Sequence, residues 1–99
     1  MRQATCWPEG THVSAVNLPP SFQTTDEIYV VDHYRADNQV VLRCAAFTGN
    51  EKLPIAWYRN EGAGRVFYSA LGHNASDFAP TAHLMKEHFL PGALWALGR

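Results

Sequence analysis

The 99 residues contain no apolar run approaching the roughly 20 needed to cross a bilayer, so no membrane-spanning helix is expected. Charge is scarce and balanced, with eight Lys and Arg against nine Asp and Glu and a net charge of −1. These charges are scattered, and no basic stripe is present to neutralise phosphates, which argues against a nucleic-acid partner. The opening residues, Met1 to Pro8, lack the apolar stretch of a secretory leader, so the expected compartment is the cytoplasm. Only two cysteines occur, Cys6 and Cys44. A disulfide between them is one reading, but a cytosolic chain keeps such a pair as thiols, and Cys44, in an apolar run, reads as a small buried hydrophobe. What the chain does have is apolar mass: 46% hydrophobic residues against 17% charged excludes a disordered chain. At this length the core is modest, with about two-thirds of the unfolded surface buried.

Residues 1–25 show no convincing periodicity, and Pro19-Pro20 removes donors from any helix or ladder there. They read as an irregular N-terminal segment, and residues 26–99 as strands plus a closing helix. Extended structure is expected from Glu27-Ile28-Tyr29-Val30-Val31, then over Val40–Cys44 and over Pro54–Arg59. The glycine-containing link Asn60–Gly64 has the length expected between antiparallel neighbours. Arg65–Leu71 is apolar on both sides, with Val66, Tyr68 and Ala70 on one and Phe67 and Leu71 on the other. Such a strand is expected inside a layered α/β structure, covered on both faces. A helix follows, capped by Thr81 or, for an earlier turn, by Ser76 or Asp77. It has a stripe of Met85, Phe89 and Ala93 flanked by Leu84 and Trp95, a kink or restart near Leu90 caused by Pro91, and an end at Gly98. About four strands and one long helix leave one sheet face without cover, which points to a missing upstream half or to self-association. A complete small α+β domain is the competing reading.

The sharpest local feature is the exit of the Arg65–Leu71 strand through Gly72 into His73 and Asn74. Ligands in open α/β sheets gather beyond the carboxyl ends of strands, and a histidine there can serve as acid or base near neutral pH. The competing reading is a histidine that only caps a turn. Of the other histidines, His83 and His88 are five apart and do not share a helix face, and His12 and His33 reach His73 only through tertiary structure, so no metal site is assigned and no cofactor is specified. Ser69 lacks the Gly-x-Ser-x-Gly elbow of a serine hydrolase.

Pro54-Ile55-Ala56-Trp57, Gly62–Tyr68, Ala70-Leu71-Gly72-His73 and Gly92–Gly98 together resemble the C-terminal half of the ThuA-like (trehalose utilisation) family. Asp26-Glu27-Ile28-Tyr29 is similar to that family's Asp-Glu-aromatic strand entry, and His12–Pro19 to its His-Pro-Ile-Thr-like stretch. The resemblance implies a class I glutamine amidotransferase-like, flavodoxin-like layered fold with a mostly parallel sheet. It also implies a small-molecule sugar substrate in the catabolism of trehalose or related keto-disaccharides. Ala75 stands where an amidotransferase places a glutamate two residues after its histidine, and Cys44 does not match the nucleophile, so a glutaminase is not expected. On this resemblance His73 is the candidate acid/base, with Asp26 and Glu27 as polar partners, and Tyr29, Trp57 and Asn74 as sugar-binding residues in a hydrolase- or lyase-type site. The competing readings are a turn cap for Asp26, a solvated strand edge for Glu27 and the core for Tyr29 and Trp57. A lone C-terminal portion is expected to be inactive. The rival is a carbohydrate-binding or interaction module that kept the fold without the chemistry.

Overall fold

Strands form where β-branched and aromatic residues cluster between turns, and each needs a partner to satisfy its backbone. A computed structural model of the chain describes residues 2–26, 36–46, 52–72 and 82–98. It contains β1 (Arg2–Pro8), β2 (Phe22–Asp26), β3 (Gln39–Ala46), β4 (Leu53–Glu61) and β5 (Gly64–Ser69). These make a curled sheet in the order β2-β1-β3-β4-β5, followed by a C-terminal helical segment, a mixed α/β arrangement. The Glu27–Val31 strand expected from sequence lies outside the described residues.

Three expectations about the sheet need correction. Residues 1–25 are not irregular, because β1 and β2 both lie there. Their partners are distant: β1 pairs with β3, with Cys6 opposite Cys44, and local periodicity carries no record of such pairing. All described strand pairings are antiparallel, unlike the mostly parallel sheet the resemblance implied. The β4–β5 connection explains one of them directly. Only Gly62 and Ala63 separate the paired residues Glu61 and Gly64, whereas a parallel neighbour needs a crossover of about a dozen residues. Gly62 takes φ 56°, the left-handed conformation such a tight hairpin requires. Finally, β5 ends the order of the described strands, and Tyr68 on it is 41% exposed, so the strand is not covered on both faces.

The core contains Cys6, Leu42, Cys44, Ile55 and Ala56, all fully buried, with Ala15, Leu18, Leu71 and Leu84 around them. Cys6 and Cys44 are joined by a disulfide rather than held as thiols. Directly opposed residues on neighbouring antiparallel strands bring their side chains close enough for this. The bond suits an oxidising compartment, so the thiol expectation, drawn from a cytosolic setting, does not hold. Among the described residues no helix is long and apolar enough to cross a membrane.

The closing helix departs from its expected phase. A π-helical turn spans Met85–Phe89 and passes into α1 (Leu90–Ala96), with the Leu90 N–H bonded to the Met85 carbonyl. A wide turn just before Pro91 accommodates the donor that proline lacks, and it stands where a kink was expected. The buried positions are Leu84, His88 and Gly92, while Ala93 is exposed. The stripe therefore runs one residue away from Met85–Phe89–Ala93, because its middle and last members are a histidine and a glycine rather than apolar residues. Gly98 closes the helix at φ 80°.

Gly92 is required for contact with the sheet. A Cβ there would sit 2.3 Å from a ring carbon of Phe67, whose ring also meets His88 edge-on at 5.4 Å. Helix propensity favours Gly92→Ala by about 1 kcal/mol, but overpacking of a filled contact costs about 1–3 kcal/mol. Overpacking wins: the variant should unfold at lower urea concentration, and an unchanged or higher midpoint would refute the packing account.

Candidate functional site

Four polar side chains converge where the 12–18 turn, β5 and the helix meet. The turn is closed by bonds from the Ala15 and Val16 N–H groups to the His12 carbonyl. It buries Ser14 completely and delivers it beside the fully buried His88. His88 Nδ1 lies 2.8 Å from the Ser14 carbonyl oxygen, an acceptor only, so Nδ1 carries the proton. The neutral ring then accepts at Nε2 from the Ser69 hydroxyl, 2.9 Å away. The Ser69 oxygen in turn faces the Leu71 N–H at 3.4 Å. Burial drives the His88 pKa down to about 4, against an opposing pull from the Ser14 hydrogen bond and with a further lowering from His12. The imidazole is therefore neutral at physiological pH.

His12 completes the cluster. Its Nδ1 accepts the Ser14 N–H at 3.2 Å and meets the Ser14 hydroxyl at 2.7 Å. The proton consequently sits on Nε2, which is buried without a hydrogen-bond partner. The ring stacks on Tyr58 at 3.9 Å and stands edge-on to Trp95 at 4.8 Å. Burial lowers its pKa as well.

The chain Ser69–His88–Ser14 has the outline of a hydroxyl, an imidazole and an orienting acceptor. Its electrostatics oppose nucleophilic use. A general base works best with a pKa near the operating pH, and this one lies well below it. The nearby Ala70 N–H is bonded to the Ile55 carbonyl at 3.0 Å and does not serve as an oxyanion donor. The cluster instead fastens the end of β5 to the helix and the 12–18 turn.

Of the residues singled out from sequence, Asp26 ends β2, its backbone paired with Arg2. Trp57 is buried in β4 with its ring stacked on Tyr68 at 4.4 Å, so Tyr68 is the more exposed ring of the pair. Glu27, Tyr29, His73 and Asn74 lie outside the described residues. A cleft of about 220 Å³ opens between Phe22, Gln23 and Thr24 of β2 and Ala82, His83 and Leu84 at the start of the helix. The described end of the His73 strand, Gly72, leaves β5 at φ 104°. Sequence reasoning missed Ser14, Ser69 and His88 as a group. The available signal was His88 standing four residues from both Leu84 and Gly92, a polar residue on a packing stripe. Among the described residues no three His, Cys, Asp or Glu side chains form a metal-binding group.

A small mixed α/β domain results, with a curled antiparallel sheet tied to one closing helix through a buried histidine–serine network. The chain belongs to the ThuA family, described as trehalose utilisation, whose family model matches residues 3–96. No curated protein and no solved structure matches it.

Proposed function

We propose that the chain contributes to processing of trehalose or a related keto-disaccharide. His73 acts as acid/base, Asp26 and Glu27 as its polar partners, and Tyr29, Trp57 and Asn74 line the sugar site. Family membership over residues 3–96 carries this reading. Strand direction adds support. With every described pairing antiparallel, the carboxyl ends of β2 and β5 lie at the same end of the sheet. Asp26 closes one of these strands, and Gly72, next to His73, follows the other. Four strand spacings of about 4.8 Å would hold them roughly 19 Å apart on a flat sheet, and curling shortens that span. A carboxylate near His73 would raise its proton affinity and orient it for proton transfer.

The chain corresponds on this reading to the C-terminal half of an amidotransferase-like domain and supplies part of the sugar cleft. Leu90 and Leu94 on α1 and Leu97 just after it, all exposed, are consistent with a further body seated on the helix. In the complete family domain, His73→Ala should lower turnover of trehalose or its keto derivatives by roughly 100-fold or more. Undiminished turnover by a stably folded variant would remove His73 from the mechanism. Equal turnover by the 99-residue chain and the complete domain would end the partial-cleft reading.

A further inference from the structure

We propose that the edge of β5, beyond which no described strand lies, is a self-association surface, on which a second copy pairs antiparallel across a two-fold axis to join the two sheets. The inference stands independently of the sugar reading. Its starting point is which backbone groups of β5 face outward. The Ala70 N–H donates to the Ile55 carbonyl at 3.0 Å, continuing the register in which Ser69 faces Ala56. Hydrogen-bonded and non-hydrogen-bonded pairs alternate along an antiparallel ladder. Tyr68 and Val66 therefore direct their N–H and C=O groups to Trp57 and Arg59 of β4. Arg65, Phe67 and Ser69 direct theirs away from the sheet, where no described strand lies beyond them.

The two sheet edges are built differently. β2 is polar over Gln23-Thr24-Thr25-Asp26 and follows closely on Pro19-Pro20, features that discourage edge pairing. β5 presents Val66-Phe67-Tyr68 with no proline, and its one charge is turned back, Arg65 Nη1 donating to the Trp95 carbonyl at 2.9 Å. The outward groups are symmetric about Phe67, which is why a second copy fits this edge. A two-fold axis there aligns Phe67 with itself and Arg65 with Ser69 of the second copy, each a hydrogen-bonded pair. Val66 then falls opposite Tyr68 of the second copy in the closer, non-hydrogen-bonded positions. β-Branched and aromatic residues are favourable partners at such positions, and no like charges meet. The half-exposed Tyr68 ring, backed by Trp57, is covered in the process.

Sedimentation of the oxidised 99-residue chain over a concentration series tests this, alongside two double variants. Val66→Lys/Tyr68→Lys places like charges opposite each other twice across the axis and should weaken association by roughly tenfold or more. Val66→Lys/Tyr68→Glu makes both contacts attractive and should restore dimers. Both variants lose the same Tyr68–Trp57 stacking, so a difference between them reads the interface rather than the fold. A chain that stays monomeric at millimolar concentration overturns the proposal and leaves the edge to a foreign strand. Dimers indifferent to the charge pattern also overturn it, by placing the contact elsewhere, such as on the exposed leucines of α1.

Discussion

A chain carrying Cys6→Ala and Cys44→Ala together should lose about 4 kcal/mol of stability relative to the oxidised protein. The bond closes a loop with a sequence separation of 38 residues. Closing a loop of that size removes about 4 kcal/mol of chain entropy from the unfolded state. Domains of ordinary stability have only about 5–15 kcal/mol in total, so the loss is a large share. The bond also ties β1 to β3, the pairing on which β2 depends for its place in the sheet. Urea denaturation of the oxidised chain, of the chain with a thiol reductant and of the double variant measures the effect. Coincident midpoints for all three would refute it. A reducing compartment would remove the same stabilisation, so the disulfide links this domain's persistence to its surroundings.

Acid should destabilise the protein through His88. Its pKa is about 4 in the folded state against 6.5 for the free side chain. At neutral pH both states carry the neutral ring and no penalty arises. As pH falls below 6.5 the unfolded chain binds a proton that the folded chain refuses, so stability declines until pH passes about 4. The difference corresponds to about 3 kcal/mol at the acid end. His12, also lowered by burial, adds to the loss with the same sign. Ser14 and Ser69, the hydrogen-bonding partners of His88, do not titrate in this range. Comparing unfolding at pH 7 and pH 4.5 for the protein and for His88→Gln isolates the contribution. Equal acid losses in both would show that His88 is not its source. The variant should keep most of its stability near neutral pH only if the amide reproduces the two hydrogen bonds.

Much of the order along the chain was legible from residues alone. The runs later seen as β3, β4 and β5 stand out by their β-branched and aromatic content. Gly62 marks the hairpin and Gly98 the helix end, because each needs a backbone conformation that glycine adopts readily. Pro91 announced a disturbance, realised as the π-helical turn. The candidate site was less legible. Asp26 was named for its chemistry, whereas Trp57, for which the core was the competing reading, is buried and packed against Tyr68. His88 and Ser69 were set aside, although they meet at 2.9 Å. A residue's partner across 19 positions of chain is a product of the fold, and no local spacing encodes it.

The sequence by itself determined where β3, β4 and β5 and the β4–β5 turn fall, the absence of a long apolar span and the resemblance to ThuA-like proteins. Those properties depend on near neighbours or on motif order. Only the tertiary structure decided that residues 2–8 and 22–26 are strands, that β5 ends the order of the described strands, and that Cys6 faces Cys44. It also decided that a neutral histidine is locked between two serines. Each of these depends on which distant segments exclude water from one another, and burial is a property of the assembled chain.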